Sequence, residues 1–326
     1  MKSMRISLRI FAVAVALGTS CAQCIADDKY PAKPVTVIVP QAPGGANDAI
    51  ARLVAQKLTE NIGQQFVVEN RPGAGGNIGT AMVARAPRDG YTLLLTVNSA
   101  HAINPSLYKN PGFDPVKDFE AITPVATSAY LLVANPSFPA KTLQELIALA
   151  KAKPGEIAYA SAGNGTPNHL LGEMLKTQAG INLLHIPYKG ASASATDLMA
   201  GRVPIAFQSM PSVISFVKAG KLTLIGVANE KRTRFLPDVP AMSETLPGFG
   251  TTPWYGFFAP SGTPKALITR IHAETLKALN SKDLQDKLAL QGAEILSSTP
   301  DEFAALLKDE LPKWAKIVKE SGAQID

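Results

Sequence analysis

Short β-branched runs alternate with amphipathic stretches along nearly the whole chain, and this alternation limits the fold more than any other feature. Val35–Val39 (VTVIV) is a continuous buried-strand pattern closed by Pro40. Pro43-Gly44-Gly45 breaks the chain, and from Asp48 the spacing of Ile50, Leu53, Val54 and Leu58 puts apolar groups on one helical face. Residues 66–68 predict a second strand, 71–79 a Gly-rich loop leading into small helical residues, and 91–97 a third strand. Further strands are expected at Tyr130–Ala134, 157–160, 183–186, 203–207, 222–228 and 254–259. Helices are expected between them at Leu143–Ala152, 168–178, 194–200 and 211–218, and three more at 264–279, 281–291 and 300–321. Thr142 followed by Glu145 is a capping box that opens the first of these. Such alternation predicts an α/β fold with mostly parallel sheets. A length of 326 residues suggests about two domains. No linker separates two halves, so the chain is expected to cross between domains more than once, with 122–134 and 252–259 as the crossing segments.

The amino terminus reads as an address. Residues 1–9 are basic, 10–18 are apolar, and small residues precede Ala26-Asp27-Asp28, the layout of a secretory signal peptide over 1–26. The apolar run is about half of the ~20 residues that span a bilayer. Cleavage after Ala26 fits this pattern, and cleavage after Ala22 is the alternative. Cys21 and Cys24 both lie in this segment, so their C-x-x-C spacing is a decoy and the mature chain is expected to lack cysteine. A lipoprotein anchor on Cys21 is the competing reading, although Leu17 stands four residues before it instead of three. The expected product is a soluble periplasmic protein.

Charge and composition exclude several classes. The chain carries a net +6, but without Lys2, Arg5 and Arg9 of the leader 29 basic groups face 26 acidic ones, an ordinary solubility charge. Aromatic residues make up 6%, too few for a platform that stacks nucleic-acid bases, and the basic cluster 231–234 lacks aromatic interleaving. No nucleic-acid partner is expected. His101, His169, His185 and His272 show no zinc spacing, so no metal site is expected. Gly73-Ala74-Gly75-Gly76-Asn77-Ile78-Gly79 lacks the third glycine of a dinucleotide loop, no phosphate-binding P-loop occurs, and no cofactor is expected. No nucleophile-elbow motif occurs either.

Two turns carry the strongest functional signal. In 40–48 (PQAPGGAND) a strand ends, glycines expose backbone N–H groups and a helix begins. A helix start carries orphan donors and partial positive charge, which suits a carboxylate or phosphate. Asp48 is read as a cap or as an acceptor for a ligand ammonium or hydroxyl. Residues 161–169 (SAGNGTPNH) repeat the device, with His169 in the first turn of the next helix. Facing each other across a cleft, the two turns would grip an acid from both sides. Tyr188 is read as cleft-lining or core, Trp254-Tyr255 as a buried hinge or a stacking surface, and Gln208 or Ser209 as pointing into the cleft at a strand end.

These turns, in this order, resemble the substrate-binding proteins of tripartite tricarboxylate transporters, the Bug family. The matching stretches are VTVIVPQAPGGANDAIAR, VENRPGAGGNIGTAMVA, DGYTLLL, YASAGNGTPNHLLGEML, HIPYKGASASATDLMAGRVPIAF, LPDVPAMSETLPGF and WYGFFAPSGTPKALI. The resemblance implies a type II periplasmic binding protein fold: two α/β domains joined by two crossing strands, with a ligand cleft between them. On that reading 27–125 with 252–326 form one domain and 126–251 the other. It implies no enzymatic activity, capture of a small organic acid (a di- or tricarboxylate or an aromatic carboxylate), and delivery to a two-subunit membrane permease. The ligand loops carried over are Pro43, Gly44, Gly45, Ala46, Asn47 and Asp48; then Ser161, Ala162, Gly163, Asn164 and Gly165, with His169 behind; and Asn98, Ser99 and Ala100. Gln41 stands where many members have an aromatic residue, and Gln208 near where many have an acid, which leans toward a plain carboxylic acid. A sensor for a membrane signalling protein is the alternative output, and an exported hydrolase using Ser161 and His169 is the rival class. A monomer is the default state.

Overall fold

β-branched and aliphatic runs form the strands, and residues between them with helical periodicity form the covering layers. The computed structural model describes residues 30–321; the expected leader, with Cys21 and Cys24, lies outside them. In chain order the elements begin with β1 (Val35–Val39), α1 (Ala46–Ile62), β2 (Phe66–Asn70), α2 (Asn77–Ala84), β3 (Thr92–Val97), a π-helical turn at Ser99–Ile103, α3 (Asn104–Leu107) and β4 (Phe119–Ser128). The middle of the chain supplies β5 (Tyr130–Ala134), α4 (Leu143–Ala152), β6 (Ala158–Ser161), α5 (Pro167–Ala179), β7 (Leu184–Pro187), α6 (Ala191–Met199), β8 (Ile205–Ser209), α7 (Met210–Lys218) and β9 (Thr223–Val227). The last part is β10 (Trp254–Pro260), α8 (Lys265–Leu279), α9 (Lys282–Leu290), β11 (Ala293–Ile295) and α10 (Pro300–Ser321).

The strands form two sheets, in the orders β11-β4-β10-β3-β1-β2 and β7-β6-β8-β5-β9. We refer to each sheet with its helices as a lobe. Parallel pairing is confined to β1 with β2 and β3, and to β6 with β7 and β8. The remaining pairs run antiparallel, so the sheets are mixed where the alternation predicts mostly parallel ones. The physical reason is the crossings. β4 leads directly through Ala129 into β5 of the other sheet, and β10 returns beside β4. Strands that pass between sheets have no crossover helix to restore parallel direction.

The crossing segments are tied together. Tyr130 N donates to Asn229 Oδ1 at 2.9 Å, Ala228 N to the Tyr130 carbonyl at 2.7 Å, and Thr127 Oγ1 to the Pro253 carbonyl at 2.8 Å. β5 is buried on both faces, as its unbroken apolar sequence requires. Tyr130, Leu132 and Ala134 join one cluster with Tyr159, Leu171 and Phe249, while Leu131 and Val133 join another with Leu198 and Val213. In the first lobe Ile38, Leu94, Trp254, Phe258 and Phe303 pack together, and the Phe303 ring meets Trp254 edge-on at 4.9 Å. Burying an aromatic ring of this size contributes about 1.5–3 kcal/mol. Leu170 of α5 joins that same cluster with Trp314 and Val318, so α10 packs on both lobes.

Candidate functional site

α1 starts where β1 can no longer continue. Pro40 ends the strand, Gly45 takes the N-cap position, and Ala46 begins the helix without a side-chain cap. α5 starts with Thr166 at the N-cap and Pro167 at the first position, again uncapped by a side chain. α6 begins after Gly190, and α7 after Ser209, in the same uncapped way. All four starts open on one cavity of about 640 Å³. Gly45, Ala46 and Asn47 line it from α1; Thr166, Pro167 and Asn168 from α5; Gly190 and Ala191 from α6; Ser209 from α7. Uncapped helix starts leave backbone donors and positive dipole ends, and their convergence makes the cavity attractive to an anion. Among the described residues the lining holds one charged side chain, Lys189, and no carboxylate.

Several anticipated residues meet here as the paired-turn argument requires. Gln41, Gly45, Ala46, Asn47 and Ser99 line the cavity from the first lobe; Ala162, Gly163, Asn164, Tyr188 and Ser209 line it from the second. Gly163 holds φ +124°, and an added Cβ would lie 3.0 Å from the Tyr188 carbonyl, so the turn requires glycine there. Tyr188 is half-buried: it borders the cavity, packs against the cluster of Leu198 and Val213, and donates its hydroxyl to Asp197 Oδ2 at 2.9 Å.

Other anticipated residues lie behind the lining. Asp48 turns back on its own loop, accepting from Gly44 N at 3.0 Å and pairing with Arg52 at 2.9 Å. Burial alone would raise its carboxyl, but hydrogen bonds from Arg52, Gly44 and Asn70 hold it below the usual carboxylate range. Its charge is already engaged, which removes it as a partner for a ligand ammonium. Pro43 offers its carbonyl to Ser192, and Asn98 and Ala100 are buried beneath the lining. Gln208 faces away because neighbouring strand residues alternate: Ser209 points to the cavity while Gln208 Nε2 donates to Ser194 Oγ at 2.6 Å.

Ser161, Gly165 and His169 form the support of the second turn. Ser161 Oγ lies 2.7 Å from His185 Nε2 and accepts from Gly163 N; His169 Nδ1 accepts from Gly165 N at 3.4 Å. The two imidazoles stack at 4.2 Å, with Tyr159 on the far side of His185. Burial, then the neighbouring His169, pushes His185 down to about 4, and burial lowers His169 as well. Two neutral rings therefore brace the turn.

The structure also brings residues that the sequence reading passed over. Pro72, Gly73, Ala74, Gly75 and Gly76 form a cavity wall in the Gly-rich loop that fails as a dinucleotide site. Tyr108 and Tyr130 add aromatic surface, and Tyr255, anticipated with Trp254 as a hinge or stacking residue, lines the cavity beside them. The Tyr255 hydroxyl lies 3.2 Å from Ser128 Oγ, and burial pushes it up to about 12. Trp254, by contrast, is core, its indole N–H donating to Glu310.

The family description "Tripartite tricarboxylate transporter family receptor" matches residues 50–323. The chain is 37% identical over 303 residues to the protein BugT of Bordetella pertussis, covering 92% of this chain and 93% of that one. Among solved structures it is similar to "R. palustris Rpa4515 with adipate", with a TM-score of 0.87, 34% identity, and coverage of 91% of this chain and all of that one. It is likewise similar to "MatC (Rpa3494) from Rhodopseudomonas palustris with bound malate", with a TM-score of 0.84, 29% identity, and 89% of this chain covered against 100% of that chain. It is also similar to "Structure of periplasmic binding protein BugD", with a TM-score of 0.86, 37% identity, and coverage of 90% of this chain and 99% of that one. The chain belongs to the tripartite tricarboxylate transporter receptor family.

Proposed function

We propose that this solute-binding protein captures a small organic acid between its lobes in the periplasm and delivers it to a two-subunit membrane permease. One observation carries the reading: four uncapped helix starts, from both lobes, converge on a cavity whose lining, among the described residues, contains a lysine and no carboxylate. A volume of about 640 Å³ suits a small molecule. The adipate- and malate-bound neighbours support a carboxylate. We assign 1–26 to an export signal, 27–125 with 252–326 to the first domain, and 126–251 to the second. We take the monomer as the working unit. Capture then works by differential contact: an acid touching α1 of one lobe and α5, α6 and α7 of the other stabilises the closed arrangement over the open one.

The test is a thermal-shift screen of the mature protein against aliphatic di- and tricarboxylates, aromatic acids and amino acids. An acid at 100 times its Kd stabilises by about 2.7 kcal/mol, a rise of several degrees for a chain of this size. Gly45→Leu is the matching variant. Gly45 has an ordinary extended backbone with φ −86°, so leucine fits the fold while filling the cavity. The shift is expected in the wild type and lost in the variant; equal shifts in both would refute the site.

A further inference from the structure

The side-chain amide of Gln41 is left unfinished by the fold. Asn47 Nδ2 lies 3.0 Å from the Leu95 carbonyl. A carbonyl only accepts, so this end of the Asn47 amide is its NH2 group. The same NH2 group donates to Gln41 Oε1. That contact orients the second amide: the Gln41 oxygen faces Asn47, and its NH2 group points the other way. Turning both amides round would set Asn47 Oδ1 against the Leu95 carbonyl, oxygen on oxygen. Gln41 Nε2 is buried and has no partner in the protein. Gln41 lines the cavity, and so does Gly76, where an added Cβ would lie 3.0 Å from that nitrogen. The absence of a side chain at position 76 leaves room beside the buried donor on the cavity side. Asn70 Nδ2 donates to the Gln41 carbonyl at 3.1 Å, which fixes the backbone carrying it.

A donor oriented by two successive hydrogen bonds, buried and unpaired at a cavity wall, calls for an acceptor from the ligand. We infer that Gln41 is a specificity-determining residue: its Nε2–H group donates to one carboxylate oxygen of the bound acid. The inference rests on the organic-acid reading above and adds to it the residue that recognises the acid on the first lobe. The backbone donors of the helix starts attract an anion of any shape. The Gln41 amide asks for an oxygen at one position.

The experiment is isothermal titration of the mature protein with adipate, malate, citrate and benzoate, and, for the acid that binds, with its monoamide. Gln41→Leu keeps the approximate volume and removes the donor. Its unliganded melting temperature is expected to stay near that of the wild type, since removing a buried unpaired donor offsets the lost contact with Asn47, whose Nδ2 keeps the Leu95 carbonyl. Its affinity for the acid is expected to fall about tenfold or more. Gln41→Glu replaces the donor by an acceptor. It is expected to weaken the acid further and to move the acid-to-monoamide ratio toward the monoamide, whose NH2 group can donate to the introduced oxygen. A purely structural role would weaken both ligands together and leave the ratio unchanged, and that result overturns the inference. Unchanged acid affinity in Gln41→Leu overturns it too, while the organic-acid reading stands. A wild-type protein that binds none of the four acids overturns that reading and the inference with it.

Discussion

His101 is fully buried and caged by Phe113, Phe119 and Phe258, stacking on the last at 4.1 Å. Its Nε2–H donates to the Pro115 carbonyl at 3.1 Å, and its Nδ1 has no partner. Burial pushes this imidazole down to about 3, against the pull of that hydrogen bond. His185 is held at about 4 by burial and His169, with Lys176 acting in the same direction and Glu173 opposing; Ser161 and Tyr159 complete its surroundings. In the unfolded chain both titrate near 6.5. Between those values the unfolded state binds more protons than the folded one. The stability is therefore complete above about pH 6.5 and is lost as pH falls toward 4, by about 1.4 kcal/mol per pH unit for each group. The carboxylates that the fold depresses add their own loss only below their ordinary range, whereas Glu310, raised by burial, opposes the histidines above its ordinary value, so the fall between pH 6.5 and 5 is the histidines' effect less that of Glu310. Thermal melts across that window are expected to show a falling Tm, and His101→Phe is expected to flatten the slope by about a third, since His169 is lowered by burial as well. A slope that does not change in the variant would remove His101 as a source of acid sensitivity.

At the scale of the element, the clearest local signal is also the cheapest to test. Thr142 Oγ1 accepts from Glu145 N at 3.2 Å, and Glu145 Oε2 accepts from Thr142 N and Lys141 N, so the reciprocal cap read in the sequence opens α4 as expected. Thr142→Ala is expected to cost about 1 kcal/mol and a few degrees of Tm. Because the cap stands away from the cavity, the shift produced by a bound acid should be unchanged; a lost shift would mean that α4 is coupled to the site. Signals of this kind are local, and where they operate the sequence was legible. β1, β5, α4 and α10 follow from β-branched runs, a capping box and helical periodicity within a few residues. Non-local pairing was not legible. Ala293–Ile295 is too short to show a pattern and becomes β11 only because β4 offers it an edge at Ala126 and Ser128. The mixed strand directions likewise depend on where β4 and β10 cross, which periodicity cannot encode. The site divides in the same way. The two Gly-rich turns were readable because each combines a strand end with a helix start. The Gly73–Gly76 stretch failed as a cofactor motif, and its role as a cavity wall arises from chain that folds back from far along the sequence. One sign of it was present: a run of glycines that adopt positive φ at Gly73, Gly75 and Gly76.

Over the whole molecule, the lobes meet across the cavity mouth through few and weak polar contacts. Ser192 Oγ donates to the Pro43 carbonyl at 3.4 Å, and the Tyr108 hydroxyl to the Asn164 carbonyl at 3.4 Å; both are exposed. Bonds this long and wet contribute little along this seam, so on the proposed function it is the bound acid that holds the mouth closed, while α10 and the Arg234–Glu294 pair join the lobes elsewhere. Ser192 offers a way to separate closure from contact. It lies on the first turn of α6, exposed and outside the cavity lining, and its Oγ stands 2.6 Å from where a Cβ on Gly44 would be. A larger side chain at this position meets the first lobe only when the lobes are together. Ser192→Leu is therefore expected to leave the fold and the lining intact while penalising the closed state by about 1–3 kcal/mol, the usual range for overpacking. Apparent affinity for the acid should fall about 5- to 150-fold, since the competent state is populated less. Small-angle scattering supplies the second readout. The wild type is expected to contract on adding the acid, and the variant to contract less at the same concentration. If Ser192→Leu binds and contracts like the wild type, the lobes do not close along this seam, and the acid would have to be held without the approach of α6 to the Pro43–Gly44 turn.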